Sequence, residues 1–196
     1  MKTYEAKTEE EVVQLACQDL GITPDQLTYE IIEEKKGLFS KKVIISCYTQ
    51  EMVQEYIENF VRKTLSNMEF DVETVSYVQN GRIYCNVNTD HNSILIGKNG
   101  VILRALNFIV KNAVNTEFKK RYEISLDING YKETRYKKMT SMAKRIGKQV
   151  LKSKVEVKLD PLPADERKVI HQVISHLKTE SKGEGKNRFI TISYVD

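Results

Sequence analysis

The chain has 196 residues, of which 40% are apolar and 30% charged, with 31 Lys and Arg against 27 Asp and Glu and a net charge of +4. Its 10 Tyr and 6 Phe give aromatic mass to pack, which argues against wholesale disorder. The length suits one large domain or two to three small ones. No run approaches the roughly 18 consecutive apolar residues of a membrane span. The acidic start MKTYEAKTEEEV does not read as a secretory signal. Cys17, Cys47 and Cys85 form no C-x-x-C pair and sit among apolar neighbours, so buried thiols in a reducing cytoplasm are expected. His91, His171 and His176 include no H-E-x-x-H, and neither a metal nor any other cofactor is expected.

Residues 1–48 predict strand, helix, strand, strand. Lys2–Ala6 is extended. Thr8 and Glu11 make a capping box for a helix with Val12, Val13, Leu15, Ala16 and Leu20 on its apolar side, and Gly21 suits its left-handed stop. Thr23-Pro24 begins a further short turn. Tyr29–Glu34 and Lys42–Tyr48 read as a hairpin whose tip runs from Lys35 to Lys41. Leu38 and Phe39 at that tip are ringed by lysines, including Lys36. Such a knob fits a protein partner or an anionic lipid surface, and equally a fold-back onto the sheet.

Residues 50–128 open with a helix, Glu51–Leu65. Strands Asp71–Val78 and Arg82–Asn88 follow, joined across Asn80-Gly81, a strong hairpin signal. A short helical turn at His91–Ile96 precedes Gly97-Lys98-Asn99-Gly100. A helix over Val101–Thr116 and a strand over Tyr122–Ile128 close the segment.

Residues 129–196 begin with a basic amphipathic helix, Tyr131–Lys152, with Met139, Met142, Ala143, Ile146, Val150 and Leu151 on one side. A strand at Val155–Leu159 leads to the break Asp160-Pro-Leu-Pro163 and a helix over Ala164–Leu177. A lysine- and glycine-rich turn, Ser181–Asn187, precedes a strand at Arg188–Tyr194. The modest net charge hides an asymmetry. Net charge is −3 over residues 1–48, −1 over 49–128 and +8 over 129–196. A basic final third points to an anionic partner, though a solvated lysine-rich helix has the same composition.

The corner Ile96-Gly-Lys-Asn-Gly100 suits a phosphate backbone. Glycines let the main chain approach an anion. Unpaired amides at the start of the next helix point outward with favourable potential. A Gly-x-x-Gly by itself also fits a plain helical corner. Its setting, helix, strand, strand, helix, helix, strand, resembles a KH domain of the bacterial, type II order, whose Gly-x-x-Gly loop clamps single-stranded nucleic acid. Further on, Arg167 and His171 stand four apart and share a helix face. Arg offers a planar fork for phosphate, and a neutral imidazole can donate one hydrogen bond or stack on a base. Alone, the pair also fits an exposed Arg beside a half-buried His. Together with Leu162-Pro163, Glu166 and the run from Ser181 to Arg188, it resembles the Arg-x-x-x-His domain associated with single-stranded nucleic acid.

The order of these segments, with Lys36-Gly-Leu-Phe39 in the first, resembles the Jag (SpoIIIJ-associated) family of bacterial RNA-binding proteins over essentially the whole chain. The resemblance implies an α+β protein of three small domains: an N-terminal βαββ unit at 1–48, a type II KH domain (αββααβ) at 50–128, and an αβαββ-like Arg-x-x-x-His domain at 129–196. It implies RNA contact by Ile96, Gly97, Lys98, Asn99, Gly100 and Arg104, and by Arg167, His171, Lys182, Gly183, Gly185 and Arg188. Lys36, Leu38 and Phe39 would face a partner or membrane. The implied partners are single-stranded RNA or DNA, a small KH-only protein of the KhpA kind, a YidC-type insertase and a second copy. The implied setting is cytoplasmic, peripheral to the membrane through partners, with roles in cell elongation, division or sporulation. An adaptor using these folds as scaffolds is the competing reading. An enzyme has little support, because no nucleophile–base pair or acidic metal cluster has a recognisable spacing.

Overall fold

Local capping chemistry sets the first helix. Thr8 Oγ1 accepts from the Glu11 amide at 3.2 Å, and Glu11 Oε2 accepts from the Lys7 amide at 3.2 Å, one residue before the expected partner. Helix α1 (Glu9–Leu20) ends at Gly21, which adopts φ 66° and ψ 32°. Strands β1 (Lys2–Ala6), β2 (Thr28–Lys36) and β3 (Lys41–Tyr48) form an antiparallel sheet with β3 central. Val12, Ala16 and Cys17 of α1 pack on Leu27, Val43, Ile45 and Cys47. Leu15, expected on this face, is instead 45% exposed. At about 100° per residue it lies about 130° from the centre of a stripe wide enough only for a three-stranded sheet. The computed structural model describes residues 1–36 and 41–194, with Lys36 described in its backbone alone. Leu38, Phe39 and the Lys36 side chain, expected at a partner-facing tip, lie outside the described residues.

Thr49 follows β3 directly and caps α2 (Gln50–Ser66), its Oγ1 accepting from the Met52 amide at 3.3 Å. Val53, Ile57, Val61 and Leu65 of α2 are buried at helical spacing. Strands β4 (Glu73–Gln79) and β5 (Arg82–Asn88) pair antiparallel, and β6 (Glu123–Ile128) pairs parallel with β5. At the hairpin turn Asn80 has φ 52° and Gly81 has φ 73°, the double positive that a type I′ turn requires. Helices α3 (Asn92–Ile96) and α4 (Val101–Glu117) connect β5 to β6, and α4 buries Leu103, Leu106, Val110 and Val114. Tyr48, at the end of β3, meets Phe118 edge-on at 4.8 Å between ring centroids and donates to its carbonyl at 3.1 Å. Lys119 pairs with Glu30 on β2 at 3.2 Å. With this junction and no spacer before α2, Met1–Asn129 packs as one compact unit.

Gly130–Asp196 is the second unit. It contains α5 (Tyr131–Ser153), β7 (Val157–Lys158), α6 (Ala164–Val173), β8 (Lys178–Lys182) and β9 (Phe189–Ser193). The antiparallel sheet has β9 at its centre. Ala143, Ile146 and Val150 of α5 meet Ile170, Ile174, Leu177, Ile190 and Ile192 in the core. Gly147 is buried at the helix crossing, where a Cβ would lie 3.0 Å from Ile174 Cγ2.

Three expectations in this unit are corrected. Helix α6 stops at Val173 rather than Leu177, because Ile174 turns to φ −120° and ψ 39°. Ile174 and Leu177 still reach the core, so their burial mimicked a continuing helical stripe. A strand, β8, then occupies Lys178–Lys182, where only the start of a turn was expected. The strand expected over Val155–Leu159 shrinks to Val157–Lys158, leaving Val155 63% exposed, and Leu151 of α5 is 43% exposed. The mixed α+β class with small three-stranded sheets is as expected.

Candidate nucleic-acid interface

The loop between α3 and α4 is shaped by glycine. Gly97 takes φ 69° and ψ 178°, a region essentially closed to other residues. A Cβ there would also come within 2.7 Å of Ile102 Cγ1. Asn99 (φ 53°) and Gly100 (φ 74°) are both left-handed. The Gly100 amide donates to Gly97 O at 3.1 Å and the Val101 amide to Lys98 O. These two amides, expected to be free at the helix start, are used within the corner itself, because the loop tightens into a 3-10 turn. The amides of Lys98 and Asn99 make no backbone hydrogen bond among the described residues. Both side chains are exposed.

Arg104 Nη1 donates to Asn99 O at 2.7 Å, so the first turn of α4 braces the loop tip. Ile96 is half-buried, while Ile94, Val101 and Ile102 flank the corner with 53%, 54% and 43% of their surface exposed. The corner is therefore open, with an apolar margin and cationic side chains at Lys98 and Arg104. Residues 92–117 are long and apolar enough, by composition, to cross a membrane. The kink at Gly97–Gly100 divides them, and the 17 residues of α4 span about 26 Å.

In the second unit, α6 and β8 bring the expected Arg and His together with two hydroxyls. Arg167 Nε donates to Leu162 O at 3.2 Å, and Nη1 donates to Ser181 Oγ at 2.7 Å. His171 Nε2 lies 3.0 Å from the same oxygen, and Nδ1 lies 2.6 Å from Thr179 Oγ1. Burial, and then the neighbouring Arg167 charge, lower the His171 pKa, favouring the neutral ring. A cavity of about 480 Å³ opens beside them, lined by Arg167, Lys168, His171, Gln172 and Ser181. The Leu162 amide donates to Arg188 O at 3.0 Å, which joins the Arg188 backbone to the Arg167 anchor. Gly183 (φ 82°) and Gly185 (φ 51°) shape the intervening loop. A Cβ on Gly183 would approach Asn187 O to 2.9 Å. Lys182 is exposed and pairs with Glu180 at 3.4 Å.

Glu166, Thr179 and Ser181 were given no role from sequence. Glu166 is 2% exposed and accepts from Arg135 Nε and Nη2 at 2.9 and 3.0 Å. This two-bond clamp ties the start of α6 to α5. Thr179 and Ser181, two apart, carried a faint alternation signal, but the helix assigned through Leu177 hid the strand. A separate cavity in the first unit is lined by Asp71, Glu73, Asp90 and His91, the wrong charge for a phosphate. Among the described residues, no group of three His, Cys, Asp or Glu is placed to hold a metal ion.

Residues 4–48 match the family described as Jag N-terminus, and residues 137–194 match the Arg-x-x-x-His domain family. These matches define a Jag-type protein that carries an Arg-x-x-x-His domain. Over 202 residues the chain is 34% identical to RNA-binding protein KhpB of Clostridium symbiosum, covering 98% of this chain and 91% of that one. It is 29% identical over 210 residues to RNA-binding protein KhpB of Bacillus subtilis (strain 168), covering 98% and 97%. A shorter match, 23% over 145 residues, reaches RNA-binding protein KhpB of Streptococcus pneumoniae serotype 2 and covers 72% of this chain and 44% of that one. The chain belongs to the Jag family.

Proposed function

We propose that this chain is a non-enzymatic, cytoplasmic RNA-binding regulator that grips single strands at two places. The first is the Gly97–Gly100 corner of a type II KH domain, where the exposed Lys98, Asn99 and their amides would take the phosphates. Ile94, Val101 and Ile102 would support the bases. Arg104 would act mainly by bracing the loop. The second is the face carrying Arg167, with Lys182, Gly183, Gly185 and Arg188 extending the track. The observation that carries the reading is the open glycine corner, with exposed Lys98 and Asn99 beside exposed aliphatics. The relatives' printed name, RNA-binding protein, supports it. In this reading the first compact unit contains two domains, at 1–48 and 50–128, with the third at 129–196. Two weak sites on one chain reinforce each other through effective concentration.

Replacing Lys98 and Asn99 together by Asp tests the first site. Affinity for single-stranded RNA should fall at least tenfold while the melting temperature stays within about 2 °C, because both side chains are exposed. Unchanged affinity would exclude the corner. A partner surface accompanies the RNA reading. Val101, Ile102, Phe108 and Ile109 leave an apolar stripe on α4, with Phe108 66% exposed, which supports pairing with a small KH-only protein or a second copy. Phe108→Glu should abolish that pairing in a sedimentation experiment. Links to a YidC-type insertase and to cell elongation, division or sporulation belong to the same proposal through the family resemblance. They would use the tip around Lys36, Leu38 and Phe39.

A further inference from the structure

Helix α6 and strand β8 meet with matched spacing. Four helical residues rise about 6 Å, and two strand residues about 6.6 Å. Arg167 and His171 therefore face Ser181 and Thr179 in register. The Ser181 hydroxyl sits between the two functional side chains, 2.7 Å from Arg167 Nη1 and 3.0 Å from His171 Nε2. A guanidinium can only donate. Ser181 Oγ is therefore the acceptor toward Arg167, and its single hydrogen is left for the ring. His171 then accepts at Nε2, carries its proton on Nδ1, and donates to Thr179 Oγ1 at 2.6 Å. In this direction each bond polarises the next. In the reverse direction the Ser181 oxygen, already bound to a cation, would accept twice, and its own proton would have no partner in the relay.

We propose that Ser181 is the positioning residue of this site: its hydroxyl locks the Arg167 guanidinium and an Nδ1-protonated, neutral His171 into one unit, so that Arg167 takes the phosphodiester and His171 offers an unpaired base only its ring face. This deepens the nucleic-acid reading above and rests on it. Leu162 O holds Arg167 Nε from the other side, so the guanidinium is fixed at two nitrogens. Its Nη2 group and second Nη1 hydrogen remain for a phosphate edge. Both imidazole nitrogens are spent on hydroxyls, so the ring has no in-plane donor for RNA. A neutral ring also avoids a second positive charge beside Arg167.

The test uses the full chain and a fluorescein-labelled single-stranded RNA of mixed sequence. Nitrogen-15 NMR of the unsubstituted protein at pH 7.5 should show His171 as the Nδ1–H tautomer. An Nε2–H tautomer or an imidazolium would overturn the proposal without any substitution, so it stays decidable even if a variant folds poorly. Ser181→Ala should weaken RNA binding about five- to tenfold, close to the loss from Arg167→Ala, as expected for a hydrogen bond to a charged group. It should also turn the His171 ring into a tautomer mixture. Ser181→Thr, which keeps the hydroxyl, should restore both the affinity and the single tautomer. Binding unchanged in Ser181→Ala, or as weak in Ser181→Thr, refutes the positioning role. If Arg167→Ala itself binds RNA normally, the underlying nucleic-acid reading of this face is what fails.

Discussion

Replacing Glu166 by Ala removes one side of the clamp between α5 and α6. The carboxylate is 2% exposed and takes two charge-assisted bonds from Arg135, at 2.9 and 3.0 Å. Breaking a buried pair from one side costs roughly 3–5 kcal/mol, because a charge is left without compensation. The Arg135 side chain is 20% exposed, so water recovers part of that loss, and about 2 kcal/mol is expected. That corresponds to about a thirtyfold larger opening equilibrium. Hydrogen–deuterium exchange reads it directly. Amides of α6 around Ile170 should exchange about thirtyfold faster, while those of α2 in the first unit keep their protection. Pairing Glu166→Leu with Arg135→Met should recover most of the protection, since neither charge is then buried alone. Less than a threefold change at α6 in Glu166→Ala would refute the clamp.

Three further outcomes follow from named contacts. Gly97→Ala should lose clearly more stability in urea unfolding than Gly81→Ala. Both glycines have positive φ, but only Gly97 would press a Cβ onto Ile102, and left-handed strain alone costs about 1–2 kcal/mol. Equal losses would deny the Ile102 contact. The His171 pKa is lowered by burial and then by Arg167. The unfolded chain therefore takes up this proton first as pH falls below about 6.5, and its contribution to stability is present above that pH and lost as pH drops toward the folded value. His171→Gln should remove that step from a pH series of melts, and an unchanged profile would contradict it. Burial pushes the Cys85 thiol up to about 12. Iodoacetamide at pH 8 should therefore leave Cys85 unmodified in the folded protein and alkylate it in denaturant, as read by peptide mass spectrometry. Native-state labelling would contradict its burial.

Elements with strong local chemistry were readable in the sequence. The Thr8 cap, the Gly21 stop, the Asn80-Gly81 turn and the α2 stripe each follow from side chains within a few residues. The two-helix glycine corner was legible for the same reason. The errors arose where distant packing decides. Leu15 matched the helical period but overshoots a narrow sheet. Ile174 and Leu177 continued an apolar pattern after the helix had ended, and no glycine or proline marked the stop. That hid β8, and with it the hydroxyls of Thr179 and Ser181. Glu166 beside Arg167 looked like part of a surface motif, whereas its partner, Arg135, lies on another helix. The free amides expected at the start of α4 were lost to the tightness of the turn, which depends on the left-handed or glycine-only conformations of Gly97, Asn99 and Gly100.

Salt dependence of single-stranded RNA binding by the intact chain is the most direct measurement of the central claim. If the Gly97–Gly100 corner and the Arg167 face together neutralise about four to six phosphates, log K should fall against log salt with a slope of about −3 to −4. The Lys98→Asp, Asn99→Asp chain should show a shallower slope. A flat dependence, or a slope the same in both chains, would contradict phosphate gripping at the glycine corner.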